Sequence, residues 1–255
     1  MPVDRSSGGA NSAAGRTLVI VPIYNEESHA QELMEKFRPV VDAHLVDRVI
    51  CIDDGSTDLT PKILGQFAYV TVESHTKRLG CGAAIRSGFR HALAHGFDTV
   101  VVMAGNGKDD PAEIPRLLLP LREGKADYVQ GSRFLVGGFS AGLPWKRRLA
   151  MRALVWMFRL CLWKRFTDCT NGFRAYRTSI LRDPKLDWAQ EWLGHDYELE
   201  VYLHYKVNAL KYRVVEVPVS KVYRIAKDGT YSKARLADWF TGLKPVIYLR
   251  LGLKR

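Results

Sequence analysis

Short apolar runs rich in Val and Ile punctuate the first half of the chain. They cover 17–24 (TLVIVPIY), 48–53 (RVICID), 69–73 (YVTVE), 99–103 (TVVVM) and 128–131 (YVQG). None shows the strict apolar–polar alternation of a strand with one wet face, so each reads as a strand covered on both faces. Helical patterns lie between them, near 26–43, 58–66, 80–95 and 111–123. Pro61 and Pro111 fall close to helix starts, where proline is tolerated. This rhythm predicts an α/β domain with a mostly parallel sheet and helices on both faces. Ligands of such sheets bind outside the carboxyl ends of the strands. Beyond residue 135 the pattern changes. Gly137, Gly138 and Gly142 lead to a basic, aromatic helix candidate over 145–166. A second helix candidate covers 189–206, a strand 212–219 (YRVVEVPV), and a basic tail 221–255. Residues 1–16 are small and polar and read as a disordered lead. No internal repeat is visible.

Composition narrows the partners. The chain has 255 residues, 47% of them hydrophobic, enough for one domain with a sizeable core or at most two small ones. The net charge of +11 points to phosphates, anionic lipid surfaces or nucleic acid. Cys51, Cys81, Cys161 and Cys169 form no C-x-x-C pair, which argues against a zinc site or redox motif and for a reducing compartment. There is no secretory pattern, and no run reaches the roughly 18–20 apolar residues of a membrane span. The expectation is a soluble or peripheral protein.

Candidate chemistry sits at the strand ends. Pro22-Ile23-Tyr24-Asn25-Glu26 closes the first strand and opens a helix, where a carboxylate suits exposed N–H groups. Asp53-Asp54-Gly55-Ser56-Thr57-Asp58 closes the second. Its two carboxylates can accept hydrogen bonds from a ribose or a base N–H, and Ser56 or Thr57 can cap the next helix. Either motif alone could be an ordinary turn. Together, about thirty residues apart in the sequence, they resemble the opening of the family 2 glycosyltransferases, V-P-I-Y-N-E followed by D-D-G-S-T-D. The resemblance runs from about 17 to 235, and is nearest to the polyprenyl-phosphate, or dolichyl-phosphate mannose type, sugar transferases. It implies the GT-A, Rossmann-like fold over 17–225, with 226–255 as a basic C-terminal segment. It also implies that Pro22, Tyr24, Glu26, Asp53 and Asp54 contact the nucleoside of a nucleotide-sugar donor.

The remaining motifs follow the family with departures. Arg78-Leu79-Gly80-Cys81-Gly82-Ala83-Ala84 resembles a donor-side loop, with Arg78 where Asn is usual and Gly82 near the donor. After the strand at 99–103 come Ala104-Gly105-Asn106-Gly107-Lys108-Asp109-Asp110-Pro111. The family carries D-x-D there, holding a divalent metal, Mg or Mn, against the donor diphosphate. Ala104 and Asn106 stand at those positions. Three readings stay open: a rearranged metal site built from Asn106 and Asp109, an ammonium from Lys108 doing the work of the metal, or a protein that only binds. Gly131-Ser132-Arg133-Phe134 ends a strand, where an arginine can fork onto phosphate oxygens. By resemblance Ser132 and Arg133, with Arg147 and Arg148, are candidates to grip an acceptor phosphate. Asp168-Cys169-Thr170-Asn171-Gly172-Phe173-Arg174 resembles a family segment bordering the acceptor cleft. His195-Asp196-Tyr197-Glu198 supplies Asp196 as a candidate base for a hydroxyl acceptor. Arg224, with Lys227, Lys233 and Arg235, is placed to close over the diphosphate.

Residues 145–165 intersperse Arg148, Arg152 and Arg159 with Leu149, Trp156, Leu160 and Trp163, an interfacial pattern suited to anionic headgroups. Residues 244–255 could add a short amphipathic anchor. The sequence therefore predicts an inverting transferase moving a hexose from a UDP- or GDP-sugar to a polyprenyl phosphate, cytoplasmic and peripheral on the inner face of the membrane. The alternatives are a transferase acting on a glycan or glycolipid hydroxyl, and a non-catalytic nucleotide-sugar-binding protein. No nucleic-acid module is recognisable.

Overall fold

The computed structural model describes residues 15–193, 196–223 and 244–254. The expected strands form as β1 (Thr17–Ile23), β2 (Arg48–Asp53), β3 (Val70–Ser74), β4 (Thr99–Val102) and β5 (Tyr128–Ser132). They alternate with α1 (Glu27–Asp42), α2 (Thr60–Leu64), α3 (Cys81–Ala94) and α4 (Ile114–Arg122), the last preceded by a 3-10 turn at Pro111–Glu113. Then come β6 (Phe139–Ala141), α5 (Trp145–Leu162), β7 (Arg174–Arg177), α6 (Thr178–Leu181), α7 (Glu198–Ala209), β8 (Val214–Pro218) and β9 (Ser220–Val222). The seven-stranded sheet runs β3-β2-β1-β4-β7-β5-β8, and β6 pairs with β9 beside it. All pairings are parallel except those of β7, which is antiparallel to both β4 and β5.

The unbroken apolar runs are explained by two cores. Along β1, Val19, Val21 and Ile23 pack with Leu33, Met34 and Phe37 of α1 and Leu117 and Leu121 of α4. The intervening Leu18 and Ile20 pack on the other face with Ile85 and Phe89 of α3 and Tyr202 and Leu203 of α7. Neither face meets water, so neither needs polar residues. Gly88 lets α3 settle on β1: a Cβ there would lie 2.3 Å from a methyl of Ile20. A smaller core joins Val155 and Phe158 of α5 to Val201 and Tyr205 of α7 and to Val246.

Three expectations shift. The segment 174–177 was not anticipated as a strand, yet β7 is inserted between β4 and β5. The helix expected over 189–206 begins only at Glu198. Arg16, expected in the lead, donates its amide to Asp98 at 2.8 Å and its guanidinium to the His95 carbonyl at 2.8 Å. All four cysteines are free thiols.

Candidate active site

The carboxyl ends of β1 and β2 lie side by side, with Ile23 opposite Asp53. The loops leaving them are laced together. The Asn25 amide, held at φ 50°, donates to Ser56 Oγ at 2.9 Å, and the Asn25 side chain accepts from the Thr57 amide at 2.9 Å. The Glu26 amide donates to Thr60 Oγ1 at 2.9 Å, and Glu27 and Asp58 each accept an amide from the other loop, those of Leu59 and Glu27. Ser56 and Thr57 are therefore fasteners between loops rather than caps. The turn into α2 is closed by Asp58, which accepts from the Thr60 amide at 3.0 Å.

The two adjacent aspartates divide their tasks. Asp54 is buried and fully engaged: Oδ1 accepts from the Leu79 amide at 2.8 Å and meets His75 Nδ1 at 2.8 Å, while Oδ2 accepts from the Gly80 amide at 2.7 Å. It holds the 75–80 loop, which passes so close to Gly55 (φ 74°) that a Cβ there would lie 2.6 Å from Lys77 backbone. Asp53 accepts from the Ser56 amide through Oδ1 at 3.1 Å, and its second oxygen has no partner among the described residues. The Arg78 guanidinium lies over the Tyr24 ring, 4.7 Å from its centre. Gly82 is buried in the first turn of α3.

The loop after β4 is pinned to β1 and β9. The Gly105 amide donates to the Pro22 carbonyl at 3.0 Å, and the Lys108 carbonyl accepts from the Val222 amide at 2.9 Å. Asn106 Oδ1 turns back to accept from the Lys108 amide at 3.3 Å. Asp109 is buried, and Lys221 Nζ clamps both its oxygens at 2.7 and 2.8 Å while reaching Asn171 Oδ1 at 3.0 Å. Lys108 itself is half-buried. Its Nζ sits 5.9 Å from the centre of the Tyr223 ring, and Arg147 stands over the same ring at 5.5 Å. Burial, and then the charges of Lys221 and Arg147, push the Lys108 ammonium below the usual lysine range.

Arg133 does not offer its fork to a ligand. Its Nε and Nη2 donate to the two oxygens of Asp168 at 2.7 and 2.9 Å, and it also bonds the hydroxyls of Tyr223 and Thr170. Burial disfavours both charges, but the pair overrides it: Arg133 is pushed up by Asp168 and Asp168 is held down by Arg133. The structure thus places Arg133, expected to grip an acceptor phosphate, in a buried network with Asp168, Tyr223 and Thr170. Ser132 is also committed, bonding Thr167 and accepting from the Phe134 and Leu135 amides at 3.2 and 3.1 Å. Of the two candidate arginines on α5, Arg147 turns to the cleft and Arg148 is exposed on the outer side. Asp196 is exposed near the start of α3, where it joins burial and Glu200 in raising the Cys81 thiol. His195 and Arg224 lie outside the described residues, as do Lys227, Lys233 and Arg235.

The residues expected to hold a divalent cation do not fit one. Ala104 has no donor atom, Asn106 is turned to its own loop, and Asp109 is neutralised by Lys221. Among the described residues no group of three His, Cys, Asp or Glu side chains could hold a metal. Sequence reasoning missed Lys221 and Tyr223. A signal existed: Val217, Val219, Lys221 and Tyr223 are all buried while Val222 is exposed, a period of two that carries a lysine inward.

An open α/β sheet with nucleotide-type loops at its carboxyl edge defines a nucleotide-sugar-transferase architecture. Residues 18–183 match the family described as Glycosyl transferase family 2, and the chain belongs to that family. It is similar to an undecaprenyl-phosphate mannosyltransferase of Micrococcus luteus, at 35% identity over 213 residues, covering 82% of this chain and 84% of the relative. It is similar also to a polyprenol monophosphomannose synthase of Mycolicibacterium smegmatis, at 31% over 230 residues, covering 86% and 84%. In three dimensions it resembles glucosyl-3-phosphoglycerate synthase from Mycobacterium tuberculosis bound to UDP, with TM-score 0.69 and 21% identity over 95% of this chain and 82% of that one. That likeness bears on the fold, which is GT-A. Crystals of the same synthase contain Mn2+ or Mg2+ with UDP.

Proposed function

We propose that this glycosyltransferase moves a hexose from a nucleoside-diphosphate sugar to a polyprenyl phosphate at a membrane surface, with inversion at the anomeric carbon. The observation that carries the reading is helix α5, which serves the cleft and an apolar surface at once. Met151, Val155 and Phe158 face the core. On the opposite side Trp145, Leu149, Trp156, Leu160 and Trp163 recur at steps of three, four and seven, each more than 60% exposed. Arg148 and Arg152 flank that stripe, in keeping with an anionic lipid surface. No helix among the described residues is long and apolar enough to cross a membrane. Arg147, near the start of α5, turns inward beside Lys108. A cavity of about 270 Å3 lies between α5 and the Ser132 loop, lined by Phe134, Arg152, Trp156, Arg159 and Thr167. Its basic and aromatic walls suit a lipid phosphate entering from the membrane side. The relatives named for undecaprenyl-phosphate and polyprenol mannosyl transfer support the same acceptor class.

In the transfer an acceptor phosphate oxygen attacks the anomeric carbon. The carbon–oxygen bond to the diphosphate breaks, and its electron pair leaves on the diphosphate. One in-line displacement inverts the centre. The acceptor oxygen is already ionised, so the exposed Asp196 need not act as a base. Asp53 receives the nucleoside, with the Arg78–Tyr24 stack as its wall. A thermal-shift screen of UDP-, GDP-, dTDP- and CMP-sugars tests the donor. A true donor at about a hundred times its dissociation constant adds about 2.7 kcal/mol of stability. A flat response to every nucleotide sugar would contradict the reading.

A further inference from the structure

The geometry points to a transferase that balances the charge of its departing nucleoside diphosphate with a fixed side-chain cation, the Lys108 ammonium beside the Tyr223 ring, in place of a divalent metal. This rests on the donor reading above and adds how the leaving group is held. The family resemblance puts the donor diphosphate at the loop after β4, and in this chain Ala104 and Asn106 stand at its two carboxylate positions. Asp109 already has its cation, since Lys221 Nζ contacts both of its oxygens. The buried carboxylate of this loop is thus taken up by an ammonium.

Among the described residues the charge accounting singles out Lys108. Lys221 is balanced by Asp109 and Arg133 by Asp168. Lys108 forms no ion pair with a carboxylate among the described residues. The charges acting on it come from every side: Lys221 on β9, Arg147 on α5, Glu26 before α1 and Asp109 on its own loop. A half-buried ammonium held near like charge is compensated when an anion enters. Its placement is fixed before reaction: the Lys108 carbonyl is tied to β9, and Arg133 bonds the Tyr223 hydroxyl. Preorganised donors of this kind stabilise charge as it develops. When the anomeric carbon–oxygen bond breaks, the departing diphosphate gains one negative charge. The Lys108 ammonium answers it with a hydrogen bond, and no proton need change hands.

The test is calorimetric titration of the full chain with UDP and GDP, and with uridine and guanosine, in excess EDTA and again in Mn2+. In EDTA the preferred diphosphate should bind about 10- to 100-fold tighter than its nucleoside, as charged hydrogen bonds allow. Mn2+ should change that by less than about threefold. Lys108→Met keeps the side chain's length and apolar stem; it should erase most of the difference without altering nucleoside binding or the melting temperature. Lys108→Arg should retain it. If the tightening appears only with Mn2+, or if Lys108→Met binds the diphosphate as the parent does, the inference is overturned. If neither nucleosides nor diphosphates bind in any arm, the donor reading itself fails and takes this inference with it.

Discussion

Exchange Arg133 for methionine and the Asp168 carboxylate, wholly buried, loses the Nε and Nη2 donors that now meet its two oxygens. The amide of residue 133, the Thr170 amide and the Thr170 hydroxyl would remain as its donors. Breaking a buried pair from one side costs about 3–5 kcal/mol, because a desolvated charge is left without its counterion. That is a large part of the 5–15 kcal/mol typical of a whole domain. Urea denaturation followed by tryptophan fluorescence should show a midpoint lower by about 1–2 M at an m-value near 2–3 kcal/mol/M. The sign of the pH dependence gives a second reading. In the parent, Arg133 holds Asp168 below the usual carboxylate range, so the pair's stability is present above about pH 3.9 and lost as pH falls below it. In the variant, burial is opposed only by the remaining hydrogen bonds and should raise that carboxyl. Its folded state then binds the proton more readily than the unfolded chain, and the deficit should shrink as pH falls from 7 towards 5. Arg133→Met with Asp168→Leu should recover most of the loss. An Arg133→Met protein that unfolds at the parental midpoint, and is impaired only in its acceptor KM, would refute the strut and return Arg133 to the phosphate.

The same approach separates other pairs of residues. Asp54→Asn should cost about 1–3 kcal/mol, because an amide cannot accept from both the Leu79 and Gly80 amides. Asp53→Asn should melt like the parent but bind its nucleotide about tenfold more weakly; equal melting and equal binding in both would contradict the division of roles. Trp156→Ser with Leu160→Ser removes two exposed side chains from the α5 stripe. It should leave stability unchanged and weaken cosedimentation with anionic liposomes by at least about tenfold; parental binding would sink the lipid-facing assignment. His204 is buried against Tyr128, Phe158 and Phe166, and burial lowers its pKa to about 3. Its folded state binds fewer protons than the unfolded chain, so stability is full above about pH 6.5 and falls with acid at up to about 1.4 kcal/mol per unit. His204→Phe should flatten urea midpoints between pH 7 and 5, and an unchanged slope would show that another group sets it.

The sheet was readable wherever both of its faces are covered by helices. Val19 to Val21, Val49 to Ile52 and Val100 to Val102 are apolar because no position among them meets water. Strand β7 hid because its first residue, Arg174, looks like a surface residue. It is wholly buried, and its guanidinium is satisfied by the carbonyls of Asn171, Glu200 and Cys169. No local pattern predicts that, since one of those carbonyls lies on α7. The site was legible in its motifs and not in its assignments. The D-D-G-S-T-D run announces a ligand loop, but which aspartate stays open depends on amides at Leu79 and Gly80, some 25 residues away. Arg133 was legible as a forked cation, and only the fold shows that Asp168, 35 residues on, already fills the fork. Lys221 lay in a stretch read as basic tail, where its inward register carried the signal.

The central claim, transfer from a nucleotide sugar to a lipid phosphate, is tested most directly by partition. Labelled GDP-mannose and UDP-hexoses are incubated with the full chain and either a polyprenyl phosphate or the matching polyprenol, then extracted into organic solvent. The account predicts label in the organic phase with the phosphate alone, released by mild acid as the free sugar. Label transferred equally well to the alcohol, or to neither lipid from any donor, would contradict it.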